Sequence, residues 1–287
     1  MKLLLISAFA FVFLALVAVC GAQEIRVPAT VSAGVETTIS TSGSGEGTLY
    51  LLGPGVASKN QISLGQEVRL RADDLKHSGE YLVVVCSDSC RSAKFQVNSV
   101  QPARVVFLVH PSRVPVGQPD AVSGVAVPFD EYGNLVVAPL TVNFRASSAK
   151  ETLLQRSART QGGVSWFRAA SGKAAGPVQV DASLDALTAR RVVQQVASEP
   201  CNLRIKGQRT AKGIIVETEP VKDCSGNLVS DGTIVTFSAT GPGERSTIDA
   251  PIKGGVAQAR IIAPEPVVVS VASGVAMGNE LHIGAKP

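Results

Sequence analysis

Short runs of alternating apolar and polar residues, rich in Val, Ile and Thr, recur along this chain, and turn-forming residues interrupt them about every ten positions. Within the first hundred residues, four such runs are Thr37 to Thr41, Gly47 to Leu52, Glu67 to Arg71 and Tyr81 to Val85. Alternation places every second side chain on the same face of a strand, so each run predicts a half-buried strand. Many short strands at this spacing are typical of β-sandwiches, and we predict an all-β fold.

Two segments also allow a helical interpretation, residues 149–159 and residues 184–196. In the second segment, alignment with residues 275–283 favours a turn followed by a final strand. A helix therefore stays an open alternative mainly for the first segment.

Two stretches of the chain nearly repeat each other. Asp130 to Val136 reads Asp-Glu-Tyr-Gly-Asn-Leu-Val, and Asp223 to Val229 reads Asp-Cys-Ser-Gly-Asn-Leu-Val, 93 positions later (223 minus 130). In both copies a run ending in Phe follows, at Phe144 and Phe237, and then Gly-Gly-Val, at Gly162 and Gly254. Several matching elements in the same order indicate two sequential copies of one folding unit.

The N-terminus has the pattern of a secretory signal peptide. After Lys2 the chain is uncharged from Leu3 to Val19, and Cys20-Gly-Ala22 then provides a small-residue site, so we predict cleavage after Ala22. Two alternatives stay open: an uncleaved membrane anchor, and lipidation at Cys20, since Val17 to Cys20 approaches a bacterial lipobox. Contact with a membrane is expected only through this segment or through lipidation at Cys20.

The rest of the chain, about 265 residues (287 minus 22), is too long for one sandwich and fits three domains. We predict a signal peptide at 1–22 and immunoglobulin-like β-sandwiches at 23–100, 101–199 and 200–287. The formal net charge of +4 comes from scattered basic residues, which is unlike a nucleic-acid-binding footprint, so no nucleic-acid partner is expected.

Four cysteines remain after the signal peptide, Cys86, Cys90, Cys201 and Cys224. An even count in an exported chain predicts two disulfides. Three pairings are possible, and locality favours Cys86 with Cys90 and Cys201 with Cys224. No histidine lies near either pair, so we do not expect a zinc site.

The segment from Asp74 to Tyr81 resembles the turn that precedes a late strand of immunoglobulin domains, where a tyrosine hydroxyl bonds to upstream backbone. This resemblance gives Tyr81 a structural role in a turn.

The repeated motifs resemble bacterial immunoglobulin-like repeats of the invasin and intimin type. The resemblance rests on the two Asp-x-x-Gly-Asn-x-Val motifs, the run Asp231 to Phe237, and the Gly-Gly-Val-Ala that begins at Gly254, and it covers about residues 101–283. It implies extracellular stalk domains without catalytic residues.

The motif residues are predicted to form turns. Glycine and asparagine adopt positive φ readily, and aspartate bonds to nearby backbone amides. The residues concerned are Asp130, Gly133, Asn134, Asp223, Gly226 and Asn227. An alternative role for the acidic turns, at Asp130-Glu131 and at Asp223 with Asp231, is to supply oxygen ligands for calcium. Turn formation is favoured, and no cofactor or metal is expected.

Few residues are suited to catalysis. The three histidines fall one in each predicted domain, and neither a Gly-x-Ser-x-Gly elbow nor a His-Glu-x-x-His motif is present. An enzyme would require that groups such as His110, Asp130 and Ser165 converge in space. We therefore predict that the protein is not an enzyme.

Trp166 is a candidate for binding. Trp166 and Phe167 are adjacent on a predicted strand and must face opposite sides, so one is expected in the core. The sequence does not decide which one.

The sequence predicts an exported structural, adhesive or scaffold module in the periplasm, on the cell surface or outside the cell. Its expected partner is a protein or a glycan. The alternative is a module that binds a glycan or an envelope polymer through sandwich-end loops or the Trp166 region.

Overall fold

The computed structural model describes residues 24–149 and 151–284, so the predictions of a signal peptide and of lipidation at Cys20 lie outside the described residues. Within these ranges the chain consists of β-strands and one short 3₁₀ helix, Ala72–Leu75. None of the described residues belongs to a helix long and apolar enough to cross a membrane. The chain forms two compact units, one ending at Val100 and the other beginning at Gln101.

The first unit is a β-sandwich, called here the first sandwich. Its strands are β1 (Ile25–Arg26), β2 (Thr30–Ser32), β3 (Thr37–Thr41), β4 (Glu46–Gly53), β5 (Val56–Ser63), β6 (Glu67–Leu70), β7 (Gly79–Cys86) and β8 (Cys90–Asn98). One sheet has the order β1-β3-β6 and the other β2-β8-β7-β4-β5. Buried residues come from both sheets, including Ile39 from one and Leu49, Leu51 and Val83 from the other.

The second unit begins with the second sandwich. Its strands are β9 (Arg104–His110), β10 (Arg113–Pro115), β11 (Val122–Phe129), β12 (Thr141–Ser147), β13 (Thr152–Arg159), β14 (Ser165–Ala169), β15 (Gly176–Leu184) and β16 (Leu187–Val196). A five-stranded sheet, β10-β16-β15-β12-β13, faces a three-stranded sheet, β14-β11-β9. The buried rings of Phe107, Phe144 and Phe167 lie 5.0 to 6.5 Å apart between centroids and form the centre of the core.

The third sandwich completes the second unit. Its strands are β17 (Pro200–Cys201), β18 (Ile205–Thr210), β19 (Gly213–Thr218), β20 (Lys222–Asp223), β21 (Ile234–Gly241), β22 (Glu244–Pro251), β23 (Gln258–Ile261), β24 (Val267–Ser273), β25 (Ala276–Met277) and β26 (Leu281–Ile283). Its three-stranded sheet has the order β18-β19-β23, and β22, β21, β24, β25 and β26 form a five-stranded sheet. Phe237, Ile214 and Ile252 are fully buried in its core.

The all-β prediction is confirmed for the described residues, and the helical alternative is wrong. Thr152–Arg159 is a strand paired antiparallel with β12, and Leu187–Val196 is paired with β15. The second and third sandwiches each have a separate hydrophobic cluster. We therefore propose residue 199 as the border between two domains of the second unit, as the sequence predicts.

Candidate functional site

His110, Asp130 and Ser165 do not form a catalytic group. Ser165 is buried on the inner side of the three-stranded sheet, where its hydroxyl donates a hydrogen bond to the carbonyl oxygen of Ala158 (3.3 Å). His110 is exposed on the outer side of the same sheet. The Asp130 carboxylate accepts hydrogen bonds within its own turn. A hydroxyl and an imidazole on opposite faces of one sheet cannot act as nucleophile and base.

The Asp130 turn is closed by its own side chains. The Asp130 carboxylate accepts hydrogen bonds from the backbone amides of Tyr132 (3.0 Å) and Asn134 (2.8 Å) and from the Asn134 side-chain amide (2.9 Å). Gly133 has a φ of 82°, which favours glycine at this position. The carboxylate oxygens thus serve the turn, in the manner of an Asx turn.

The Asp223 turn repeats this arrangement and also contacts the second sandwich. Asp223 accepts hydrogen bonds from the backbone amides of Ser225 and Asn227 (2.9 and 2.8 Å). The Asn227 side chain accepts a bond from the Ala175 amide and donates one to the Lys173 carbonyl oxygen, both at 2.8 Å. Lys173 and Ala175 lie between β14 and β15. The second copy of the motif therefore connects the two sandwiches of the second unit.

The hydrogen bonds to Asp223 also change its acidity. Burial acts to raise the pKa of this carboxyl. Hydrogen bonds from Asn227, from the Ser198 amide (3.0 Å) and from the Ser225 amide outweigh burial and hold the pKa below its usual value. Asp223 is therefore an ionised acceptor that holds the start of the third sandwich in place.

An open cleft of about 550 Å³ lies between the second and third sandwiches, next to the Asp223 turn. Glu199 is the only titratable side chain that lines it, apart from the disulfide-bonded Cys224. The hydroxyl groups of Ser198, Ser230 and Thr233 also line the cleft, and no histidine, lysine or arginine side chain among the described residues does.

No cluster of three His, Cys, Asp or Glu side chains able to hold a metal ion occurs in the part of the chain that the structure describes. The acidic turns at Asp130 and Asp223 are closed by amide donors instead.

Two local disulfides join Cys86 to Cys90 and Cys201 to Cys224. The first closes the tip of the hairpin formed by β7 and β8, and the second links β17 to the Asp223 turn. In the first sandwich, the buried Tyr81 donates its hydroxyl to the His77 carbonyl oxygen (3.0 Å). These bonds hold turns and strand ends together.

Trp166 lies on the outer surface, and its neighbour Phe167 is in the core. The Trp166 side chain is 58% exposed and Phe167 is fully buried. The register places Val125 directly opposite Trp166 on one side and opposite Leu108 on the other. Trp166, Val125 and Leu108 thus form one row across the outer side of β14-β11-β9.

The residues around this row extend the surface. On the outer side, Ser123 lies between His110 and Arg168, and Val127 is opposite Val106. Arg104 lies over the ring of Phe129, 5.1 Å from its centroid. We call this outer side the Trp166 face, and it consists of Arg104, Val106, Leu108, His110, Ser123, Val125, Val127, Phe129, Trp166 and Arg168.

Sequence reasoning identified Trp166 but missed Leu108 and Val125. Both lie in apolar runs whose residues divide between the core and the outer side, so only strand register distinguishes their faces. The signal available in the sequence was the alternation along β9. Arg104, Leu108 and His110 lie on the outer side, and Phe107 lies inside.

No protein-family model matches the sequence, and no curated protein matches it. Solved structures that resemble the fold include the following two. One is FdeC, described as an Escherichia coli adhesin, with 17% identity, coverage of 90% of this chain and 95% of that chain, and a TM-score of 0.59. The other is invasin, described as a bacterial integrin-binding protein, with 11% identity, coverage of 89% of this chain and 57% of that chain, and a TM-score of 0.51.

The chain thus spans more than half of the length of the invasin structure that it matches. The similarity at the level of the fold confirms the predicted resemblance to immunoglobulin-like repeats of the invasin type.

Proposed function

We propose that this chain, which has the fold of the immunoglobulin-like domains of bacterial adhesins, is a non-enzymatic adhesive module that acts outside the cytoplasm. The observation that carries this proposal is the extent of the likeness. It runs along 90% of this chain and 95% of a structure described as an adhesin.

The chemistry of the described residues supports this proposal. Of the candidate catalytic groups, Asp130 is used in a turn, Ser165 is buried, and His110 is exposed on the opposite side of the sheet from Ser165. The exposed surface around Trp166 is apolar and basic. Such a surface is suited to binding. The expected partner is a protein or a glycan met outside the cell.

The two disulfides support an exported location. Disulfides persist in the periplasm and outside the cell, whereas cytosolic thiols are kept reduced. We propose the cell surface as the place of action, because an adhesive module has to reach its partner there.

Deletion of the gene from the producing bacterium tests the adhesive role. We expect weaker attachment to cells or surfaces, restored by the full chain, and unchanged resistance to detergent and osmotic shock. Unchanged attachment together with a weakened envelope would instead support a scaffold inside the envelope.

A further inference from the structure

The Trp166 face combines apolar and basic residues and has no acidic ones. Strands β9, β11 and β14 contain two arginines and one histidine, and no aspartate or glutamate. Leu108 is 62% exposed beside Trp166 at 58%. Contiguous exposed apolar surface with a polar border is typical of interaction sites.

The fold does not require an apolar surface here, because the third sandwich has a polar one. The Gly-Gly-Val turns place Trp166 and Gln258 at equivalent positions, each two residues after the valine of an isolated bridge. In the third sandwich, Gln258 is opposite Glu217, which is opposite Lys206. The row Leu108-Val125-Trp166 thus corresponds to Lys206-Glu217-Gln258.

The polar row of the third sandwich is internally paired. Lys206 Nζ lies 3.3 Å from Glu217 Oε1, and Gln258 Nε2 donates to Glu217 Oε2 at 3.4 Å. The corresponding sheet of the first sandwich is also polar, with Ser40 between Arg26 and Glu67. The second sandwich therefore differs from both others in a feature that folding does not demand.

We propose that the Trp166 face is a docking surface for a partner protein with an apolar patch bordered by carboxylates. This inference deepens the proposed function and rests on it. Leu108, Val125 and Trp166 form the apolar centre of this surface. Tryptophan and arginine are among the residue types that are enriched at interface hot spots. Arg104 and Arg168, on the two edge strands, select acidic groups by charge complementarity.

A protein fits this surface better than a glycan does. Sugars carry many hydroxyl groups and need several hydrogen-bonding side chains beside the aromatic ring. In the row beside Trp166 the residues are aliphatic, Leu108 and Val125, and apart from the basic side chains of the face only Ser123 and the Trp166 indole N–H can form hydrogen bonds. A second copy of this chain is also disfavoured, because two such faces would bring basic groups together without any acidic partner.

The size of the face implies a weak contact. Three strands about 4.8 Å apart and about 24 Å long cover roughly 350 Å², well below the roughly 800 Å² that each partner contributes to a standard interface. Weak contacts of this kind give strong overall binding when several form at once, through avidity. This is the kind of interaction that an adhesive module on a cell surface uses.

Trp166 is the only tryptophan in the sequence, so its fluorescence reports on this face alone. The probe is a short amphipathic helical peptide without tryptophan, with a leucine face bordered by glutamates. A second peptide has lysine in place of each glutamate, and a sulfated oligosaccharide serves as the glycan probe. Each is titrated into the full chain while the emission of Trp166 is followed.

Three variants keep the reporter. Leu108→Lys with Val125→Glu copies the ion pair of the third sandwich onto the face without changing the net charge. Arg168→Glu reverses one border charge. Arg156→Glu makes the same charge change on β13, in the other sheet, and is the matched control.

We expect the acidic peptide to shift the emission of Trp166 to shorter wavelength and to bind about tenfold more tightly than the basic one. The double variant should lose about tenfold in affinity for the acidic peptide. Arg168→Glu should lower the affinity for the acidic peptide and raise the affinity for the basic one. Arg156→Glu should leave both affinities unchanged.

The inference would be overturned if both peptides bound equally well or if neither bound. It would also be overturned if Arg168→Glu and Arg156→Glu had equal effects. A shift with the sulfated oligosaccharide alone would also overturn it, in favour of a glycan site. None of these outcomes alters the attachment measured after deletion of the gene. The docking proposal can therefore fail while the proposed adhesive function stands.

Discussion

The Asp223 carboxylate makes the stability of the second unit depend on pH. Its pKa is lower in the folded protein than the value of about 3.9 expected for the unfolded chain. A carboxylate with a lowered folded pKa contributes stability above the unfolded pKa and loses that contribution as pH falls through the folded pKa. The contribution is therefore complete at neutral pH and disappears in acid.

Replacement of Asp223 by Asn tests this dependence. We expect Asp223→Asn to lower the free energy of unfolding by about 1–3 kcal/mol at pH 7, because hydrogen bonds to a charged acceptor are lost. Urea unfolding at pH 7 and pH 3 should show the difference from the parent protein shrinking in acid. The exposed Asp249→Asn, on β22, is the control, and a difference that stays constant with pH would refute the assignment.

Gln195 is a buried polar residue without a complete set of partners. It is 2% exposed, and its Oε1 atom has no hydrogen-bond partner among the described residues. It lines a very small apolar cavity next to Phe167 and Val193. An unsatisfied buried acceptor costs stability, so this position is not optimal for folding.

Gln195→Leu should therefore stabilise the protein by about 1 kcal/mol, because it removes the unsatisfied oxygen and keeps a similar volume. The exposed Gln155→Leu, on β13, is the control and should change stability by less than about 0.5 kcal/mol. Chemical denaturation gives both values. A loss of stability in Gln195→Leu would show that Oε1 has a partner in solution.

The orientations of Trp166 and Phe167 show how far single residues can be predicted. Their adjacency predicts opposite faces, but the choice depends on a residue 43 positions away (167 minus 124). Gly124 is opposite Phe167, and a Cβ atom there would lie 2.2 Å from the Phe167 ring. The missing side chain of Gly124 makes room for the ring, and no local pattern contains this information.

Among the elements, the two disulfides close loops of very different length. The Cys201–Cys224 loop spans 23 positions and the Cys86–Cys90 loop spans 4. On the chain-entropy model the longer loop stabilises the fold by about 3 kcal/mol and the shorter one by about 2 kcal/mol.

We expect Cys201→Ala with Cys224→Ala to lower the free energy of unfolding more than Cys86→Ala with Cys90→Ala. The two pairs lie in different compact units. Loss of each disulfide should therefore lower the thermal transition of its own unit. A larger effect from the Cys86–Cys90 pair would contradict the loop-length argument.

The Asn227 turn links the second and third sandwiches through specific amides. The Ala175 amide donates to Asn227 Oδ1, so its hydrogen exchange measures this contact directly. We expect Asn227→Ala to speed the exchange of that amide about tenfold or more. Asn134→Ala, in the equivalent turn of the second sandwich, is the matched control and should leave Ala175 unchanged.

Strands with clear alternation were predictable from the sequence, and polar edge strands were not. Buried and less buried residues alternate along most of β4 and β7, and both strands are central in their sheet. β5 is polar along much of its length, because it lies at the sheet edge and packs little against the core. β13, for which a helix remained open, is another edge strand with weak alternation.

For the whole molecule, the repeat was sufficient to predict the fold class and the family resemblance. The Trp166 face was not predictable, because β9, β11 and β14 are separated in sequence and only their register brings Leu108, Val125 and Trp166 into one row. A repeat also conceals differences between its copies. The apolar row of one sandwich and the ion pair of the other occupy the same place in the fold.

Protease treatment of intact producing cells tests most directly whether the protein acts outside the cell as an adhesive module. An antibody against the chain follows its fate alongside a periplasmic marker. The proposed function predicts that the chain is digested while the marker is preserved. Protection of the chain until the outer membrane is opened would contradict a surface role and place the protein in the periplasm.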